Sequence, residues 1–283
     1  MEKLKFGISK IIIGSLLSLF FTFIPPIVLT KFQPAFANPG GISSAPLLWL
    51  DATDIDSNTA TSNPADSTTV SRWEDRSPYG NDATVLAGQG TPTYSANSGI
   101  NNGPAIRFTR YADDSGTVFE APVDIRAGNL SDVTIFAVYR AIDPVLWDLF
   151  GIWGNDNGAW DRFAICCGFK VVDRGVIGKP PAGFEVAGAG TGTRLLTVVY
   201  DGTLSGSGQT QTNSGPTNGS SVWFEGGQVT TFTDNTTGNT ESVSPPSQVG
   251  SHPNIRIGGD GDGSAVNGWI SELIIFGSAL SNA

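Results

Sequence analysis

A chain of 283 residues, 39% hydrophobic and only 15% charged, is long enough to close a sizeable core in one large domain. Its formal charge of −10 comes without any basic run, which disfavours a phosphate backbone and excludes nucleic acid from the expected partners. One histidine and two adjacent cysteines, Cys166 and Cys167, leave too few soft ligands for a metal centre, and a vicinal pair is strained as a disulfide, so two thiols on a strand are expected.

Residues 1–37 read as an export signal and fall outside fold reasoning. Lys3, Lys5 and Lys10 form the positive start, Ile11 to Leu29 is almost unbroken apolar sequence, and Ala35-Phe36-Ala37 offers small residues at the cleavage positions. A membrane anchor is the competing reading, because the run approaches the ~18–20 residues a bilayer requires. Pro25-Pro26 argues against a straight spanning helix, so cleavage after Ala37 is expected. Losing Lys3, Lys5, Lys10, Lys31 and Glu2 with the signal moves the formal charge from −10 to −13. The exported chain is then expected to be secreted, periplasmic or at the cell surface, without further membrane contact. Residues 38–45 read as a short linker and 46–283 as the domain.

Leu47-Leu48-Trp49-Leu50-Asp51 opens the domain, and Trp269-Ile270-Ser271-Glu272-Leu273-Ile274-Ile275-Phe276 stands near its end. Both read as buried strands, and a sandwich that lays residues 47–51 beside 270–276 covers both. Between them lie Pro104 to Phe108, Val133 to Tyr139, Arg162 to Ile165, Leu195 to Tyr200 and Ile255 to Gly259, all short and β-branched or aromatic. Val222 to Glu225 and Gln228 to Phe232, separated by Gly226-Gly227, predict a hairpin, and Asp201-Gly202 predicts another turn. Residues 203–221 and 234–252 are polar and read as loops. No stretch after the signal holds a helical apolar period, so the expected fold is all-β, two packed antiparallel sheets. Trp49, Trp73, Trp223 and Trp269 are expected in the core.

Taken in order, several pieces resemble the LamG-like, concanavalin A-like jelly rolls of secreted bacterial proteins. They are Leu48 to Ala52, Trp73-Glu74-Asp75-Arg76-Ser77 with Gly80-Asn81, Asp132 to Phe136, and Gly154-Asn155-Asp156-Asn157-Gly158 with Trp160-Asp161-Arg162-Phe163. Leu195 to Gly202, Val222 to Phe224, Ile255 to Gly263 and Gly268 to Phe276 complete the series. The resemblance implies a jelly roll over nearly all of residues 46–280, in a superfamily that includes lectins, adhesion modules, pentraxins and glycoside hydrolases. Related chains follow the last strand with a helix; Ser278 to Ala283 stops where that helix would start, the pattern of a shortened gene product.

Fold alone does not choose among these functions. A retaining glycosidase needs two carboxylates about 5–5.5 Å apart, and alternate acidic residues on one strand would supply them. Asp54-Ile55-Asp56 has that spacing but sits in a Ser/Thr/Asn loop, and Glu272 has no acidic residue at 270 or 274. His252 precedes Pro253 in a loop, and Gly206-Ser207-Gly208 lies in a polar stretch rather than at a strand–helix elbow. Catalysis is therefore not expected. Trp147, Trp153 and Trp160 mingle with Asn155, Asp156, Asn157 and Asp161, a mixture suited to stacking on sugar rings and binding hydroxyls; Trp153, Asn155, Asp156, Asn157, Trp160 and Asp161 are the candidate ligand-binding set. Gly259-Asp260-Gly261-Asp262-Gly263 places Asp260 and Asp262 on a turn rich in oxygen ligands, a candidate Ca²⁺ site, although the same residue types are ordinary turn formers. The expectation is a secreted, non-catalytic recognition module for carbohydrate or an extracellular partner, with Ca²⁺ assisting. An unusual glycoside hydrolase and a purely structural surface or matrix domain are the alternatives.

Overall fold

The computed structural model describes residues 38–281, except 114, 126–129, 131, 143–151, 155–162, 167–169, 174–183, 187–191, 201–219, 229–231, 235–253 and 260–264. A single 3₁₀ turn, Pro39–Gly41, is the one helical element among these residues. Chain order begins with β1 (Leu48–Asp51), β2 (Arg72–Trp73), β3 (Ala83–Val85), β4 (Thr93–Ile100), β5 (Gly103–Phe108) and β6 (Phe119–Ala121). It continues with β7 (Val133–Ala141), β8 (Ile152–Gly154), β9 (Phe163–Cys166), β10 (Lys170–Asp173), β11 (Phe184–Val186) and β12 (Gly192–Tyr200). The last are β13 (Ser220–Phe224), β14 (Gly227–Gln228), β15 (Phe232–Asp234), β16 (Ile255–Ile257) and β17 (Gly268–Phe276).

These strands form two antiparallel sheets. The first runs β14-β13-β12-β7-β17-β5-β4, with β1 also paired to β17; the second runs β15-β11-β10-β9-β8-β16-β6-β3-β2. The all-β, two-sheet sandwich is thus the observed fold. β1 and β17 lie side by side as their apolar runs demand, with Leu48 opposite Ile275 and Asp51 opposite Glu272.

Period-two alternation decides which residues face the second sheet. In β7, Val133, Ile135, Ala137 and Tyr139 enter the core, while Thr134, Phe136, Val138 and Arg140 face away from it. Leu48 and Leu50 of β1 and Leu196 and Val198 of β12 join the same core. β17 departs from strict alternation. Its register slips at Ser271, between Ile270 and Glu272, so Ile270, Leu273 and Ile275 point inward while Trp269, Glu272 and Ile274 share the outer face. Across the interior, Trp73, Phe119 and Phe108 form a chain of tilted and edge-on rings, with centroids 6.5 and 5.9 Å apart.

The expectation of four core tryptophans is corrected here. Only Trp73 is fully buried in the core; Trp49, Trp223 and Trp269 are half-buried on the outer face of the first sheet. The reason is local. Trp49 stands between the inward Leu48 and Leu50, Trp269 precedes the inward Ile270, and Trp223 lies opposite Thr197, whose neighbours Leu196 and Val198 point inward. The hairpin turn after β13 also moves by one residue. Glu225 and Gly226, with φ of 52° and 76°, make it, as a primed two-residue turn requires.

Candidate functional site

Cross-strand register gathers the outer face of the first sheet into rows. One row runs Gln228, Trp223, Thr197, Phe136, Ile274 and Trp49, across β14, β13, β12, β7, β17 and β1. At about 4.8 Å per strand it spans about 24 Å. The adjacent row is Leu195, Val138, Glu272 and Asp51, and Glu225 reaches its end by accepting the Leu195 N–H at 3.1 Å. A third row is Thr193, Arg140, Trp269, Arg107 and Thr93. Aromatic, acidic and basic side chains thus converge from strands far apart in sequence.

The first two rows enclose a groove of about 490 Å³, counting the space open to solvent. Phe136, Val138, Leu195, Ile274 and Phe276 line it with apolar surface, and Glu272 is its carboxylate. Pro39, Gly40 and Ile42, from the segment read as a linker, form part of its wall. Phe136 meets Phe276 edge-on at 6.1 Å. Past Phe276 the chain crosses back: Thr134 donates to the Ser278 carbonyl at 2.7 Å and its hydroxyl accepts from the Leu280 N–H at 3.0 Å.

One margin of the groove is polar. The Trp49 indole donates to Glu272 Oε1 at 3.0 Å, and the Arg76 guanidinium lies 4.6 Å from the Trp49 ring centroid. Arg76 pairs with Asp51, which also accepts from the Thr53 hydroxyl and N–H. Asp75 holds this margin from below; its Oδ1 accepts the N–H of Trp49 and of Ser77, each at 2.8 Å. Two carboxylates that no single strand brings together thus come from neighbouring strands, with Glu272 directly opposite Asp51 in the register. That pairing was missed because it depends on a register between residues 223 positions apart at Trp49 and Glu272.

Burial raises the Glu272 pKa above its ordinary value of 4.5, and Asp51 opposite adds to this, while the Trp49 indole and Arg76 work against it. A carboxyl raised on folding favours the native state most where it is protonated, so its contribution is complete below about pH 4.5 and is lost as pH rises through the folded pKa. Glu272→Gln keeps an acceptor for the indole and removes the charge. Its melting temperature relative to the parent is expected to rise between pH 4 and pH 7. A difference that stays constant over that range would rule out burial as the cause.

At the other margin, Trp269 stands between two arginines, with guanidinium carbons 4.8 Å (Arg107) and 5.1 Å (Arg140) from its ring centroid. Arg107 donates to the Gly268 carbonyl at 3.0 Å and to Asn267 Oδ1 at 2.5 Å, and burial lowers its pKa. Arg140 donates to the Ser98 carbonyl at 2.7 Å. Among the described residues neither has a carboxylate partner. Both cations can therefore answer an anionic group on a ligand.

Of the residues expected from sequence to bind ligand, Trp153 is the one whose backbone is described. Trp153 falls in β8 of the second sheet, its backbone paired with Arg256 and Ala164. Asn155, Asp156, Asn157, Trp160 and Asp161, like Trp147, lie outside the described residues, as do His252, Asp260 and Asp262. The roots of the 260–262 turn are described: Gly259 bridges Ala265, and the Val266 N–H donates to the Gly258 carbonyl at 2.8 Å. Among the described residues no group of three or more His, Cys, Asp or Glu converges.

No protein-family model matches the chain, and no curated protein matches it. Solved structures similar to it include a Trypanosoma rangeli sialidase in complex with the inhibitor DANA, 13% identical, covering 83% of this chain and 31% of that one, with a TM-score of 0.40. The binding domain of botulinum neurotoxin DC in complex with rat synaptotagmin II is 11% identical, covering 83% of this chain and 49% of that one, at a TM-score of 0.46. Domain 4 of an extracellular arabinanase from Geobacillus stearothermophilus, in complex with arabinotriose, is 12% identical, covering 77% of this chain and 96% of that one, at 0.39. The chain thus spans a third to a half of the length of the sialidase and the neurotoxin domain. At these scores and identities the likenesses add nothing to the sandwich that the two sheets establish, and they assign no LamG-like family.

Proposed function

We propose that the chain is an exported, non-catalytic recognition module that holds a glycan or an extracellular protein on the outer face of its first sheet. The observation that carries this reading is the placement of Trp49, Trp223 and Trp269 on that face, beside an apolar groove and two arginines that have no carboxylate partner among the described residues. Half-buried indoles with polar neighbours suit a ligand that is apolar on one side and hydroxylated on the other. Arg107 and Arg140 favour an acidic saccharide over a neutral one. Delivery outside the cell, to the periplasm or to the surface follows from the signal in residues 1–37. Ca²⁺ at Asp260 and Asp262 remains part of the proposal, with chelation expected to weaken binding.

Glycan arrays run with and without chelator provide the test, followed by Trp49→Ala and Trp223→Ala. Each substitution is expected to weaken binding by about 1–3 kcal/mol while leaving the fold intact, as a contact residue at a hot spot does. Trp153→Ala and Trp160→Ala belong in the same series. Loss of binding there alone would move the site to the 152–161 region, and no binding to any glycan would favour a structural matrix domain. The glycoside hydrolase reading draws on one observation, the Asp51–Glu272 pair with its raised Glu272 pKa. Against it, Asp51 is already engaged by Arg76 and Thr53. Steady release of reducing sugar, lost in Glu272→Gln, would establish that reading instead.

A further inference from the structure

Away from the groove, between β1 and β2, the chain makes a compact turn over residues 52–63 that the binding reading does not use. Asp54, Asp56 and Asn58 stand at alternate positions in it. Both carboxylates accept from one donor, the Asn58 N–H, which lies 2.9 Å from Asp54 Oδ1 and 3.2 Å from Asp56 Oδ1. The two acidic side chains are thus drawn to a common point, and Thr61 adds its hydroxyl to Asp56 Oδ2.

Asp54 is the decisive group. It is 7% exposed, and its Oδ2 is buried with no hydrogen-bond donor among the described residues. An acceptor left unsatisfied in the interior is costly, and more so when a second carboxylate faces it. Burial raises the Asp54 pKa, the Asn58 N–H opposes this, and the Asp56 carboxyl adds to it. The field of Arg76 also reaches Asp54, but that guanidinium is paired with Asp51. Among the described side chains the Asp56 carboxyl is the one that reaches Asp54, so a proton shared between the two or a cation must balance the pair.

We propose that the 54–63 turn binds a hard divalent cation of the calcium type, with Asp54 Oδ2 and Asp56 as its carboxylate ligands. Calcium takes six to eight oxygens at about 2.3–2.6 Å, and carboxylates at alternate positions of a turn are a recurrent way to bring them together. Asn58 Oδ1, the Thr61 hydroxyl, loop carbonyls and water are the remaining oxygens within the same turn. Thr59 follows Asn58 and Ala65 stands twelfth from Asp54, so the turn is not a twelve-residue calcium hand. The site is separate from the turn at Asp260 and Asp262, and it does not depend on what the outer face binds. Its structural consequence is to tie residues 52–63 to the end of β1 and to the end of β2, where the Glu74 N–H donates to the Ile55 carbonyl at 2.8 Å.

The test is calorimetric titration of the chelator-stripped, purified protein with CaCl₂ near neutral pH, with parallel melting curves. The parent is expected to bind, and Asp56→Asn is expected to take up one equivalent less. A double Asp260→Asn, Asp262→Asn variant should retain the 54–63 equivalent. In the Asp260→Asn, Asp262→Asn background, chelator should lower the melting temperature by about 2–4 °C, and adding Asp56→Asn should remove that shift. Asp54→Asn serves as a second variant, since it removes the charge at nearly constant shape; circular dichroism separates its loss of binding from loss of fold. Equal stoichiometry in the parent and Asp56→Asn would overturn the proposal. So would no binding by the parent up to about 10 mM, well above the range of extracellular calcium modules, and a shared proton would then neutralise the pair.

Discussion

Trp73→Ala is expected to cost about 3–5 kcal/mol of stability, read as a fall in the denaturant midpoint at unchanged slope. The ring is fully buried on β2 and is the first member of the Trp73–Phe119–Phe108 chain, so its removal leaves a cavity bounded by both sheets. Trp73→Phe is the informative companion. The buried Trp73 indole N–H has no acceptor among the described residues, so phenylalanine removes that donor along with part of the ring and should cost far less. If alanine and phenylalanine cost the same, the loss is not one of volume. Trp49→Ala and Trp223→Ala, on the outer face, should lie well below the Trp73→Ala value.

The second large effect is expected at Gly258→Ala, at the other end of the same chain of rings. Gly258 has φ of 90°, and a Cβ placed on it would stand 2.0 Å from Phe108 Cδ1 and 2.4 Å from Cε1. Backbone strain of about 1–3 kcal/mol and overpacking of about 1–3 kcal/mol act together, since Phe108 is fully buried and has nowhere to retreat. Thermal unfolding should therefore show a drop of several degrees. Repeating the substitution in a Phe108→Leu background isolates the steric part, which should shrink while the backbone part persists. A Gly258→Ala protein that melts with the parent would mean that β16 and β5 do not approach as described.

Much of the fold was legible because apolar alternation is a local signal. Val133 to Tyr139, Leu195 to Tyr200 and the two terminal runs each declare a strand, and the pairing of β1 with β17 follows from the need to cover both. β4 was missed because Tyr94 and Ile100 are its only large apolar residues and its register is interrupted between Ser95 and Ile100. The turn after it, Asn101-Asn102 with φ of 48° and 57°, is a primed hairpin turn built without glycine. The tryptophans were misplaced for a different reason. Composition says that indoles are usually buried, whereas alternation beside Leu48, Leu50 and Ile270 puts Trp49 and Trp269 on the other face, and the local rule prevails. The candidate site was least legible, because Glu272 meets Asp51, and Trp269 meets Arg107 and Arg140, only through register.

The position of β17 carries a consequence for how the protein folds. This strand has β7 along one side and β5 then β1 along the other, so it is the hub of the first sheet, yet every strand it joins is synthesised before it. Until residues 268–276 have emerged, β1 and β5 have no bridge to β7, and the edges that will pair with β17 stay open. Long-range pairing of this kind slows folding and prolongs exposure of unpaired edges. Closure of the sheet is thereby deferred until residues 268–276 are available. Under the export proposed above, that order of assembly would keep the chain open while it crosses a membrane.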